Sequence, residues 1–99
     1  MTRPKANARQ VAEMLAIQAL TYLADDGERL GRFLAVSGIG PESLRAAAQD
    51  ARFLAGVLDY VVGDEQLLID FAKEVGVTPV DVQNARRVLG SGDWERDVP

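Results

Sequence analysis

Apolar residues recur along this chain at helical spacing, in short bursts separated by Asp, Gly and Pro. Between Gly27 and Ser37, Leu30, Phe33, Leu34 and Ser37 share one face at intervals of three and four. Between Glu65 and Val75, Leu68, Phe71, Ala72 and Val75 do the same. Two longer runs, Ala8 to Ala24 and Ala51 to Val62, are apolar on most sides. In the first, Val11, Met14, Leu15, Ile17, Leu20, Tyr22 and Leu23 are interleaved with Ala12, Ala16 and Ala19. Such breadth predicts central helices packed by several neighbours, with Gln18, Thr21 and Asp59 marking a narrow solvent-facing strip. No segment alternates with period two for long enough to make a strand.

The stops and starts are chemically explicit. Asp26, Asp50 and Asp64 stand where N-caps are needed, their carboxylates accepting from free backbone N–H groups. Gly38 and Gly76 end helices in the left-handed conformation, with Ile39 and Val77 folding back over the last turn. Pro41 and Pro79 restart the chain at N1, where a missing N–H costs nothing. A third helix is therefore expected over Pro41 to Gln49, burying Leu44, Ala47 and Ala48. A sixth is expected from Pro79, with Thr78 as cap and Val82, Ala85 and Leu89 as its inner face.

A constant offset of 38 residues relates the two halves. It pairs Leu20/Leu58, Tyr22/Tyr60, Asp26/Asp64, Leu30/Leu68, Phe33/Phe71, Gly38/Gly76, Pro41/Pro79 and Ala47/Ala85, eight identities in 28 gapless positions. About two would arise by chance at average residue frequencies. Helix corners need Asp, Gly and Pro in any case, but not Tyr and Phe at the same offset. The expected fold is all-α, a compact bundle of about six short helices. It is arranged as two tandem three-helix units, residues 12–49 and 50–89, related by a pseudo-two-fold. Each unit alone would leave its central helix half exposed, so neither folds alone. Residues 1–8 read as a flexible basic tail, 9–90 as one domain, and 91–99 as a flexible acidic tail.

Composition narrows the chemistry. The 99 residues hold no Cys and no His, which removes disulfides, zinc-finger spacing, thiol nucleophiles and triads with a histidine base. Absence of Cys fits a cytoplasmic protein. Arg3, Lys5 and Arg9 precede an apolar run as a signal peptide would, but Glu13 and Gln18 interrupt it and no cleavage site follows. The run from Val11 to Ala24 is also too short to cross a bilayer. A net charge of −4 argues against nonspecific contact with nucleic acid. Asp25-Asp26 and Gly63-Asp64-Glu65 lack the alternating oxygen ligands of a calcium loop, so no metal or cofactor is expected.

Three functional readings remain. The first is a noncatalytic interaction module, binding an unidentified protein partner or a second copy of itself where the halves differ. There Arg29, Gly31 and Arg32 face Leu67, Ile69 and Asp70. Gly31 inside a helix costs about 1 kcal/mol against Ala, a cost that close approach by another backbone would justify. Leu67 and Ile69 offer an apolar patch, and Trp94 an anchor in the tail. The second is DNA binding through Gly38-Ile39-Gly40-Pro41, similar to a helix–hairpin–helix turn, although Glu42 stands where Lys or Arg would suit a phosphate. The third is a small-molecule site near Tyr22, Asp59 and Tyr60, with Asp59 a candidate acid or base.

Ala16-Ile17-Gln18-Ala19-Leu20, the Arg29–Phe33 segment, Gly38–Ser43 and Phe53–Asp64 together resemble a family of small proteobacterial proteins classed as a domain of unknown function. The resemblance covers about Ala12 to Leu89. It implies an all-helical, cytoplasmic protein without an assigned activity, and transfers no catalytic residues.

Overall fold

The structure is a computed structural model in which residues 7–90 are described. Both expected tails, and Trp94, lie outside the described residues, apart from Asn7 and Ala8. The helices are α1 (Ala8–Ala24), α2 (Gly27–Ser37), α3 (Leu44–Ala47, entered through a 3-10 turn Pro41–Ser43), α4 (Ala51–Val62), α5 (Glu65–Val75) and α6 (Pro79–Gly90). No strand occurs among the described residues.

Every helix start but that of α3 follows from a local side-chain hydrogen bond. Asn7 opens α1 with a reciprocal box: its side chain accepts from the Gln10 N–H at 2.8 Å, and its own N–H donates to the Gln10 amide oxygen at 3.1 Å. Asp26 Oδ1 accepts from the N–H groups of Glu28 and Arg29 at 2.9 and 3.2 Å. Asp50 accepts from Arg52, and Asp64 from Leu67. Gly38 and Gly76 have φ of 79° and 76°, the left-handed region in which a side chain is strained.

The two corners then diverge. Val77 donates to the Ala72 carbonyl at 2.9 Å, closing a Schellman turn. Ile39 does not fold back in this way; its N–H meets Ser37 Oγ at 3.5 Å. Thr78 and Asp81 form a capping box at 3.0 and 3.1 Å and launch a full twelve-residue α6. Gly40, the equivalent position, has no side chain with which to cap. The expected third helix over Pro41 to Gln49 is accordingly reduced to a 3-10 turn and a single α-turn. Leu44, Ala47 and Ala48 are only half-buried rather than buried.

α6 therefore has no structural equal in the first half. It packs against both α1 and α4, which also pack on each other. Its buried face is Val82, Ala85 and Leu89, as the spacing predicts. α1 contributes Ala12, Leu15, Ala16, Ala19 and Leu23 to the core, and α4 contributes Leu54, Val57, Leu58 and Val61. α5 ends beside the C-terminal half of α1, so α6 starts there and runs back toward Ala8, antiparallel to α1.

Aromatic rings tie the halves together. Tyr22 of α1 lies on Phe71 of α5 with centroids 5.6 Å apart. Phe33 of α2 meets Tyr60 of α4 edge-on at 5.2 Å, and Phe53 at 5.9 Å. The Tyr22–Phe71 and Tyr60–Phe33 pairs exchange under the 38-residue offset, each tyrosine taking the phenylalanine of the other half. No polar or charged side chain is buried among the described residues.

Phe71 is fully buried and Phe33 nearly so. Truncating either to Ala removes a large ring and its aromatic contact, and should cost about 3–5 kcal/mol. Urea denaturation of Phe33→Ala and Phe71→Ala measures this. A loss below about 1 kcal/mol for either would contradict its place in the core.

Candidate functional site

The residues at which the halves differ do not gather into one surface. α2, which carries Arg29, Gly31 and Arg32, packs on α1; α5, which carries Leu67 and Ile69, packs on α4, α6 and α1. Arg29 is committed to structure. Its guanidinium lies 4.1 Å from the Tyr22 ring centroid, donates to the Tyr22 carbonyl at 2.9 Å and pairs with Asp26 at 3.6 Å. Arg32 is exposed and pairs with Glu28 one turn earlier, at 3.4 Å. Leu67 is half-buried against the core, whereas Ile69 is exposed. Among the described residues, nothing outside its own helix turn lies within 4 Å of a Cβ built on Gly31, so none of their backbone makes the close approach its glycine suggests.

The hairpin after α2 carries its own anion. A Cβ built on Gly40 would lie 2.5 Å from Glu42 Oε2, so the Glu42 carboxylate covers the face a phosphate would use. Tyr22, Asp59 and Tyr60 go to three separate places. The rings join different aromatic pairs, and exposed Asp59 accepts from Arg86 Nε at 2.6 Å beside a groove of about 400 Å³ between α4 and α6.

The surface that does stand out lies on α1. Met14 is 63% exposed, Val11 51% and Ile17 47%. They form a row at intervals of three, with Gln18 and Thr21 continuing it. This corrects the expectation that the large side chains of α1 are covered and only a narrow polar strip is open. The physical reason is the alanine row Ala12, Ala16 and Ala19, which faces inward and lets neighbouring helices approach closely. The larger side chains are left outside.

Beside this row runs a groove of about 570 Å³ between α1 and α6. Val11, Met14, Leu15, Val77 and Val88 supply apolar walls; Gln18, Asp81 and Asn84 supply the polar rim. A shallower groove of about 270 Å³ continues past Ile17 to Tyr22 and Asp25, flanked by Glu74 and Val75 of α5. The open face thus follows nearly the whole of α1. The large-outside, small-inside order of α1 is the sequence signal that marks it.

Two measurements check the local chemistry. The Arg29 and Glu28 N–H groups, then the Arg29 and Arg32 charges, hold the exposed Asp26 carboxyl below its ordinary value of 3.8. A lowered folded-state value stabilises the fold above that ordinary value and is lost as pH falls through the folded one. NMR titration should therefore place the Asp26 midpoint below 3.8; a midpoint at or above it would contradict the cap. Gly31→Ala should raise stability by about 1 kcal/mol through helix propensity, seen as a Tm increase of roughly 4–8 °C. A lower Tm would reveal a contact at Gly31 that the structure lacks.

No helix among the described residues is long and apolar enough to cross a membrane. No group of three or more Asp or Glu among them is placed to hold a metal ion. No curated protein and no solved structure matches the chain. The model of one family, described as "Protein of unknown function (DUF3572)", matches residues 9–92. That span takes in the helices from the second residue of α1 to the end of α6, and the chain belongs to this family of unknown function.

Proposed function

We propose that this chain is a noncatalytic helical interaction module whose docking face is α1 and the groove it shares with α6. The observation that carries the reading is the row of Val11, Met14 and Ile17, each about half exposed or more on a helix at the centre of the bundle. Fully burying such a side chain stabilises by about 1.5–3 kcal/mol. This fold forgoes much of that on α1, and an exposed apolar patch with a polar rim is the usual form of a protein-binding site. The absence of His and Cys from the sequence supports the noncatalytic part of the reading.

The face separates function from folding. Met14→Lys and Ile17→Lys should each change folding stability by less than about 0.5 kcal/mol, because neither side chain is in the core. A photo-crosslinking residue at position 14, expressed in the native cell, should yield a discrete protein adduct. The same residue at exposed Gln83, outside the groove, should yield none. Equal labelling at both positions, or none at position 14, would contradict the reading.

A further inference from the structure

We infer that the groove between α4 and α6 seats this chain's own C-terminal segment, residues 91–99, with the Trp94 ring laid on its floor. The inference concerns a different groove from the one beside α1 and stands apart from the reading of that face.

The tether comes first. Gly90, the last residue of α6, itself lines the groove, together with Ala55, Gly56 and Asp59 of α4 and with Arg86 and Arg87. Trp94 follows four residues later and can stand up to about 14 Å from Gly90. Along α6 the groove extends only from Arg86 to Gly90, about 6 Å. Ser91-Gly92 is a turn-forming pair, placed where the chain would reverse. The segment therefore reaches every part of the groove. So short a link presents it there at an effective concentration on the order of millimolar, and a weak contact suffices.

Charge selects this occupant. After Gly90 come Asp93, Glu95 and Asp97, against Arg96 alone. In the groove, Asp59 is matched to Arg86 at 2.6 Å. Arg87 has no carboxylate partner among the described residues; it donates to the neutral Asn84 amide oxygen at 2.8 Å. The groove thus carries an uncompensated positive charge on a chain whose net charge is −4. The α1–α6 groove offers the opposite: no Lys or Arg lines it, and Asp81 does. An acidic segment is attracted to the first groove and repelled from the second.

Shape agrees with charge. Gly56 stands inside α4, where glycine weakens a helix. Among the described residues, nothing outside its own helix turn lies within 4 Å of a Cβ built there, so their packing does not require the glycine. With Ala55 and Gly90 it leaves a floor that no side chain longer than a methyl group interrupts. A flat ring resting on that floor supplies the missing requirement. Asp59 accepts from Arg86 through Oδ1, which leaves Oδ2 to accept the indole N–H.

Trp94 is the chain's only tryptophan, so fluorescence of the intact chain reads its position. Its emission should lie to the blue of a synthetic peptide of residues 91–99 and resist quenching by acrylamide, equally at every protein concentration. Nuclear Overhauser contacts should join the indole ring to the Ala55 methyl group. Gly56→Leu fills the floor and Arg87→Glu reverses the charge. Each should shift the emission to that of the peptide and restore its quenching, with helical circular dichroism unchanged. Arg45→Glu, outside the groove, should alter neither. If Gly56→Leu loses helix, Arg87→Glu alone decides. Peptide-like emission and quenching in the intact chain would overturn the inference. Shielding that survives either substitution in a folded chain would overturn the groove as the seat, and shielding that grows with protein concentration would overturn docking within one chain.

Discussion

The rest of the structure depends on α6 lying between α1 and α4. Its buried residues Val82, Ala85 and Leu89 are modest in size, and the face α1 turns inward is largely alanine. Small side chains allow helix axes to come close, and the contact is then made by many short-range van der Waals approaches. Once α6 is seated, α1 and α4 each have one covered side. α5 follows because its Schellman turn hands the chain directly to Thr78 and Pro79. α2 is held from the other direction by Phe33 between Tyr60 and Phe53, and by Arg29 over Tyr22.

Helix positions were legible in the sequence because their ends are written in single side chains. Asp26, Asp50 and Asp64 accept from the backbone where each helix must begin, and Gly38 and Gly76 adopt the one conformation that stops it cheaply. The third helix was not legible, because Gly40 and Thr78 look interchangeable until one asks which can cap. The face of α1 was missed for a related reason. A helix with apolar residues on most sides reads as surrounded, yet a chain of this length has too few helices to surround it. The small residues took the inside, and the large ones remained.

The departures between the halves, the strongest functional lead in the sequence, prove to be partly structural. Arg29 stacks on Tyr22 and tethers the α1–α2 corner, so its difference from Leu67 reflects packing. Three of its exposed large apolar side chains, Val11, Met14 and Ile17, share the helix that gives the core most, while Val36, Ile69 and Val80 stand singly on α2, α5 and α6. An open face on a rigid, central element can bind without deforming, because its backbone is already fixed by α4, α5 and α6 behind it.

The central structural claim is that both halves contribute to a single core, with α6 and the crossed Tyr–Phe pairs joining them. The direct measurement is complementation between two fragments, residues 1–49 and 50–99, followed by circular dichroism. Each fragment alone should show little helix and no cooperative melting, and their mixture should recover a helical, cooperatively melting complex. A fragment that melts cooperatively alone at the temperature of the intact chain would contradict the account.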